Sequence, residues 1–149
     1  MRPPAASDLS VRITAAAMLV LEIAIHAYLA PDHLNEIPYI GASFVATSVL
    51  LAGTLAGIAL APRSSTPWTF GALLCTGMAI AFLASRTVGL PGFHEAWTSD
   101  GGLGLLALPP EAVFVAIAFQ SRLALRAERL AREGRLPSYS GHRAHQHVR

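Results

Sequence analysis

Four runs of apolar residues, separated by short stretches rich in proline, glycine or charge, organise the chain. The runs cover residues 11–29, 39–61, 68–84 and 103–125, and the stretches between them are 31–38, 62–67 and 85–102. A helix needs roughly 20 mostly apolar residues to cross the hydrocarbon core of a bilayer, and each run is close to that length. The pattern therefore predicts an all-α membrane protein, a four-transmembrane-helix bundle with the lipid bilayer as its solvent. Small residues recur at helical spacing: Gly53 and Gly57 with Ala42 and Ala46 in the second run, and Gly77, Ala81 and Ser85 in the third. Inside lipid such faces permit the close backbone approach that replaces the hydrophobic effect. They serve packing within the bundle, or else a homo-oligomer or a membrane-complex partner.

The fourth run has an awkward start, because Pro109 and Pro110 fall several residues after Gly101 and Gly102. Either the helix kinks at the prolines, or it begins there with Glu111 in its first turn, near the positive end of the helix dipole. Beyond the membrane, Leu123, Ala127 and Leu130 share one face and arginines take the others, so the helix continues as a basic extension to about residue 136. Residues 1–10 form a short leading segment, and the polar stretch 137–149 is expected to be a disordered tail. His142, His145 and His147 lie on that tail and offer only loose chelation.

Composition agrees with lipid as the solvent: the 149 residues are 53% hydrophobic and only 13% charged. All eleven basic residues are arginine, and ten of them fall in the flanks of one side: Arg2, Arg12, Arg63 and the seven from Arg122 onward. The other side carries Arg86 with Asp32, Glu36, Glu95 and Asp100. By the positive-inside rule both termini are cytoplasmic and the 31–38 and 85–102 connections lie outside. The sequence pI of about 9.2 thus reflects topology, and no nucleic-acid partner is expected. Arg2 and Arg12 precede the first run as they would a signal peptide, but Glu22 and His26 within it favour a retained helix.

Chemistry is expected where ionisable residues violate the apolar pattern, because each is costly in a membrane unless partnered. Glu22 and Glu111 are two such residues. His26 follows Glu22 by four, which places both on one helical face. The first outer connection adds His33 and Glu36 at i and i+3, close to Tyr39. The second contains Gly89, Pro91 and Gly92, a tight turn able to fold His94 and Glu95 over the bundle mouth. Arg86, beside the third run, needs a carboxylate, for which Glu111 and Glu22 are the expected partners. If His26 or His94 joined that pair, the result would be a pH-sensitive latch, since histidine titrates near neutrality. His26, His33, Glu36 and His94 form a candidate metal set whose nitrogen and oxygen donors suit zinc, oxidised copper or iron. Glu22, Tyr39, Arg86 and Glu111 form a candidate buried ion-pair network. Heme is disfavoured, because no second axial histidine faces His26 from an opposing helix. The single cysteine, Cys75, has no partner within the chain for a disulfide or a paired metal motif.

The runs HAYLAPDHLNEIPYIGASF and SRTVGLPG, followed by a glutamate in the last helix, resemble those of small four-span bacterial membrane proteins of uncharacterised activity. The resemblance implies the same fold, a bacterial inner membrane and a shared outer polar site at His26, His33, Glu36, Tyr39, Arg86 and Glu111. It implies no activity. Three functions remain open on the sequence. One is a module that binds a metal ion or another small ligand at its outer face. Another is a structural or accessory subunit. The third, disfavoured because no nucleophile or cofactor motif is present, is an enzyme or transporter with Glu22, His26 and Glu111 as a proton relay.

Overall fold

A computed structural model describes residues 8–97 and 102–134, and its four apolar runs are four helices: α1 (Leu9–Glu36), α2 (Pro38–Leu60), α3 (Ser65–Thr87) and α4 (Leu103–Arg132). Each is long and apolar enough to cross a membrane. Local chemistry sets their starts. The Asp8 carboxylate caps α1 by accepting from the Ser10 amide at 3.0 Å, Pro38 occupies the first turn of α2, and the Ser64 hydroxyl accepts from the Thr66 amide at the head of α3. Gly102 adopts φ 84° immediately before α4, a conformation that costs glycine least.

Three prolines, at two places where the sequence allows a helix boundary, lie inside helices. The first helix passes through Pro31 to Glu36, so residues 31–36 are helix and only Ile37 separates α1 from α2. The fourth runs from Leu103 straight through Pro109 and Pro110, so the helix does not begin at the prolines. A proline removes one backbone donor and crowds the carbonyl four residues earlier. In an apolar medium, continuing the helix still satisfies most of the neighbouring peptide groups, which an irregular segment would not. The third helix likewise extends to Thr87, making Ser85 and Arg86 helical. Residues 1–7, the tail expected over 137–149 and its three histidines lie outside the described residues.

The buried positions follow a three-then-four spacing on every helix. On α1 they include Ala15, Leu19, Glu22, His26, Leu29 and His33. On α4 they include Gly104, Ala107, Glu111, Phe114, Ala118 and Ser121. Ile40, Leu51, Thr54 and Ile58 mark the seam of α2, and Trp68, Gly71, Cys75 and Ser85 that of α3. This is the spacing by which near-antiparallel helices interlock. Each helix packs on its two neighbours in the cycle α1, α2, α3, α4, while the backbones of the diagonal pairs do not approach closely. The α1/α2 seam is the most extensive and the α2/α3 seam the sparsest. Outside the seams large apolar side chains face the surroundings: Val49, Leu73, Ile80, Leu106 and Phe119 are each more than half exposed.

Alternating direction brings the start of α1, the end of α2, the start of α3 and the end of α4 to one end of the bundle. Arg12, Arg63, Arg122, Arg126, Arg129 and Arg132 gather at this arginine end, where the Arg12 guanidinium donates to the Ala59 carbonyl at 3.1 Å. The half of the bundle nearer to it carries the main apolar core, with Leu19, Leu51, Ile58, Trp68, Cys75 and Phe114 and the Trp68 and Phe114 rings stacked at 6.3 Å. The opposite end is covered by the α3/α4 connection and is termed the capped end.

Candidate functional site

The cap is built on two glycines and a proline. Gly89 and Gly92 have φ 80° and 69°, and Pro91 before Gly92 presets the bend of a tight turn. The turn closes through paired hydrogen bonds between the backbones of Leu90 and Phe93, at 2.7 and 2.8 Å. It is tied to α2 by the Tyr39 hydroxyl, which donates to the Pro91 carbonyl at 2.6 Å. It is tied to α3 by the Glu95 amide, which donates to the Ser85 carbonyl at 3.2 Å.

This turn delivers Glu95 to the bundle. Arg86, only 6% exposed, donates from Nη1 to Glu95 Oε2 and to the Ser85 hydroxyl. Its guanidinium carbon also stands 4.7 Å above the Phe82 ring, a favourable cation–π placement. The other Glu95 oxygen is 3.5 Å from His33 Nε2. On its far side His33 bonds the Leu29 carbonyl through Nδ1 at 2.9 Å. A carbonyl only accepts, so the proton is on Nδ1, and Nε2 can donate toward Glu95 only when the ring is an imidazolium. His26 repeats the arrangement one turn-pair deeper: its Nδ1 bonds the Glu22 carbonyl at 3.0 Å and lies 3.7 Å from Glu22 Oε2. Phe44 of α2 packs edge-on against both rings, at 5.3 Å from His26 and 4.9 Å from His33.

Below the cap and between the four helices is a cavity of about 340 Å³. Its walls are mainly apolar, from Leu29, Phe44, Leu74, Met78 and Leu108, and His26, His33, Arg86, Glu95 and Glu111 contribute polar groups to it. Glu111 is 4% exposed, and its Oε2 is buried without a hydrogen-bond partner among the described residues. Glu22 is fully buried, and neither of its carboxylate oxygens has such a partner. Of the described residues lining the cavity, Ser43, Leu73, Gly77 and Ala81 are exposed to the surroundings, and all four belong to α2 or α3. The cavity therefore opens sideways at the sparsest seam.

The residues singled out in the sequence divide into two groups. His26, His33, Arg86 and Glu111 meet at the cavity, and Glu22 lies beside His26. Tyr39 is largely exposed but holds the cap. Glu36 and His94 are exposed and do not line the cavity, so the candidate metal set is split. Among the described residues no three His, Cys, Asp or Glu side chains come close enough to share an ion. The carboxylate on Arg86 is that of Glu95, in place of the expected Glu111 or Glu22. Phe44 is a site residue that the sequence reading does not single out, and Glu95, which that reading folds over the mouth together with His94, is not there given the role of partner to Arg86. The turn that carries Glu95 was legible, but which of two adjacent residues enters the bundle was not.

The small-residue faces also divide. Gly71 packs inside the bundle, where an added Cβ would stand 2.7 Å from both Phe114 and Thr54, and Gly41 sits equally close against Leu34. Gly57 abuts Pro67, whereas Gly53 and Gly77 have nothing within 4 Å of an added Cβ. Comparison with protein-family models, with curated proteins and with solved structures returns no match to this chain.

Proposed function

We propose that this protein binds a small organic molecule that reaches the cavity from the bilayer, passing between α2 and α3. One observation carries the proposal: among the described residues, the cavity's exposed lining residues all lie on that seam, while at its axial end the 89–95 turn is tied down through Tyr39, Ser85 and the Arg86, Glu95 and His33 cluster. Mainly apolar walls with a few converging polar groups, in a volume of a few hundred Å³, are the ordinary features of a small-molecule site. A metal ion at the outer face is less well supported, because among the described residues no three His, Cys, Asp or Glu side chains come together to hold one. Arginine placement favours an orientation with the arginine end and both termini in the cytoplasm. The capped end then faces outward from a bacterial inner membrane.

Native mass spectrometry of the full chain in mild detergent tests this against Gly77→Phe. The seam has room for a ring at residue 77, so the substitution plugs the opening without disturbing the core. The expected result is a near-stoichiometric bound mass on the wild-type protein that is missing from an equally stable Gly77→Phe variant. Identical spectra for the two proteins would contradict the proposal.

A further inference from the structure

The hydrogen-bonding groups around the cavity are unevenly spent. Several of its donors are committed: the Ser43 hydroxyl donates to the Ile40 carbonyl at 2.7 Å, the Ser85 hydroxyl to the Phe82 carbonyl at 2.7 Å, and Arg86 Nη1 to Glu95 and Ser85. His26 and His33 commit Nδ1 to backbone carbonyls. The acceptors are not all filled. Glu111 holds a buried carboxylate oxygen without a partner among the described residues. In the neutral ring, His26 keeps Nε2 as an acceptor once Nδ1 has donated. Arg86 is bonded to Glu95, and among the described residues no arginine is bonded to Glu111 at the cavity wall or to Glu22 beside His26. A buried polar group without a partner is costly, and a ligand bearing donors and positive charge would relieve that cost.

Resting on the cavity as a ligand site, we propose that the molecule bound there is a lipophilic amine. Its ammonium group sits between the Glu111 carboxylate and His26, and its apolar body lies against Phe44, Leu74, Met78 and Leu108. An ammonium supplies three donors and one positive charge, which matches what the wall lacks. A carboxylate-bearing molecule would meet Glu111 and Glu95 as like charges. An alcohol of the same shape would satisfy one acceptor and leave the charge uncompensated. Glu22 lies outside the cavity lining and acts on the ligand through His26, whose ring it flanks.

The test uses three probes with one body, 4-phenylbutylamine, 4-phenylbutanol and 4-phenylbutyrate. Each is titrated calorimetrically against the full chain in nanodiscs of zwitterionic lipid, with empty nanodiscs as the blank. The amine should bind saturably at one site, at least tenfold more tightly than the alcohol, and the carboxylate should not bind. Glu111→Gln should reduce amine affinity at least tenfold while leaving the alcohol unchanged, which also reports that the variant is folded. The wild-type comparison of amine with alcohol stands without any variant. Equal or tighter binding of the alcohol or carboxylate, abolished by Gly77→Phe, would overturn the amine and leave the cavity as a ligand site. Absence of saturable binding by all three would overturn the amine and count against the cavity reading beneath it. Amine binding insensitive to both Glu111→Gln and Gly77→Phe would overturn the proposed location.

Discussion

Gly71 and Gly77 stand six residues apart on α3 in opposite circumstances. A methyl group at Gly71 would collide with the Phe114 ring and the Thr54 side chain, whereas one at Gly77 would meet nothing. The two glycines represent the two halves of the bundle. Toward the arginine end the seams carry Trp68, Phe114, Leu19 and Leu51, which fill the space between the helices. Toward the capped end the same spacing carries histidines, carboxylates, serine, alanine and glycine, and a cavity remains. Backbone geometry does not differ in kind between the halves; side-chain volume and polarity do. The packed half holds the helices together, and the capped half is left free to hold something else.

Mutations can break this contrast, beginning with the largest effect. Phe114→Ala empties a fully buried ring position beside Trp68 and should cost about 3–5 kcal/mol, read as a fall in the unfolding midpoint in detergent. A loss no greater than that of an exposed substitution such as Leu73→Ala would show that the arginine-end half is not the stabilising one. Next comes the glycine pair. Gly71→Ala should destabilise by about 2 kcal/mol through overpacking, while Gly77→Ala should stay within about 0.5 kcal/mol of wild type. Equal effects at the two positions would erase the distinction. Smallest is Tyr39→Phe, which removes one hydrogen bond to the cap and should cost about 1 kcal/mol. Its signature is faster hydrogen exchange at the Leu90 and Phe93 amides, whose bonds close the turn, with the core amides of α1 unchanged.

Much of this was written in the spacing of residues. Four helices follow from the apolar runs, and the shared face of Glu22 and His26 follows from their separation of four. His33 lies seven beyond His26, so continuing the three-and-four pattern through Pro31 would have placed it on the same seam. It was assigned to a connection because proline usually ends a helix in water, a rule that weakens where no water is available for the freed backbone. Glu95 was harder to find. Gly89, Pro91 and Gly92 announce a turn, but a one-residue difference in register decides whether His94 or Glu95 points inward, and nothing local to the sequence sets it. The Gly53 and Gly57 pair shows the opposite case. Its pattern is plain, yet the pattern does not say what, if anything, packs on it: Gly57 meets Pro67 of α3 while Gly53 meets nothing among the described residues, and the closest approaches are at Gly41 and Gly71.

The most direct test of the central claim, a cavity loaded sideways from the bilayer, is photolabelling of the full chain in nanodiscs. An alkyl diazirine that partitions into lipid is used, and the adducts are mapped by peptide mass spectrometry. The account predicts adducts on the buried wall, at His26, Phe44 and Glu111, in addition to those on lipid-facing residues, and predicts that Gly77→Phe removes the former and spares the latter. Labelling confined to the lipid-facing residues, or wall labelling that Gly77→Phe leaves unchanged, would contradict it.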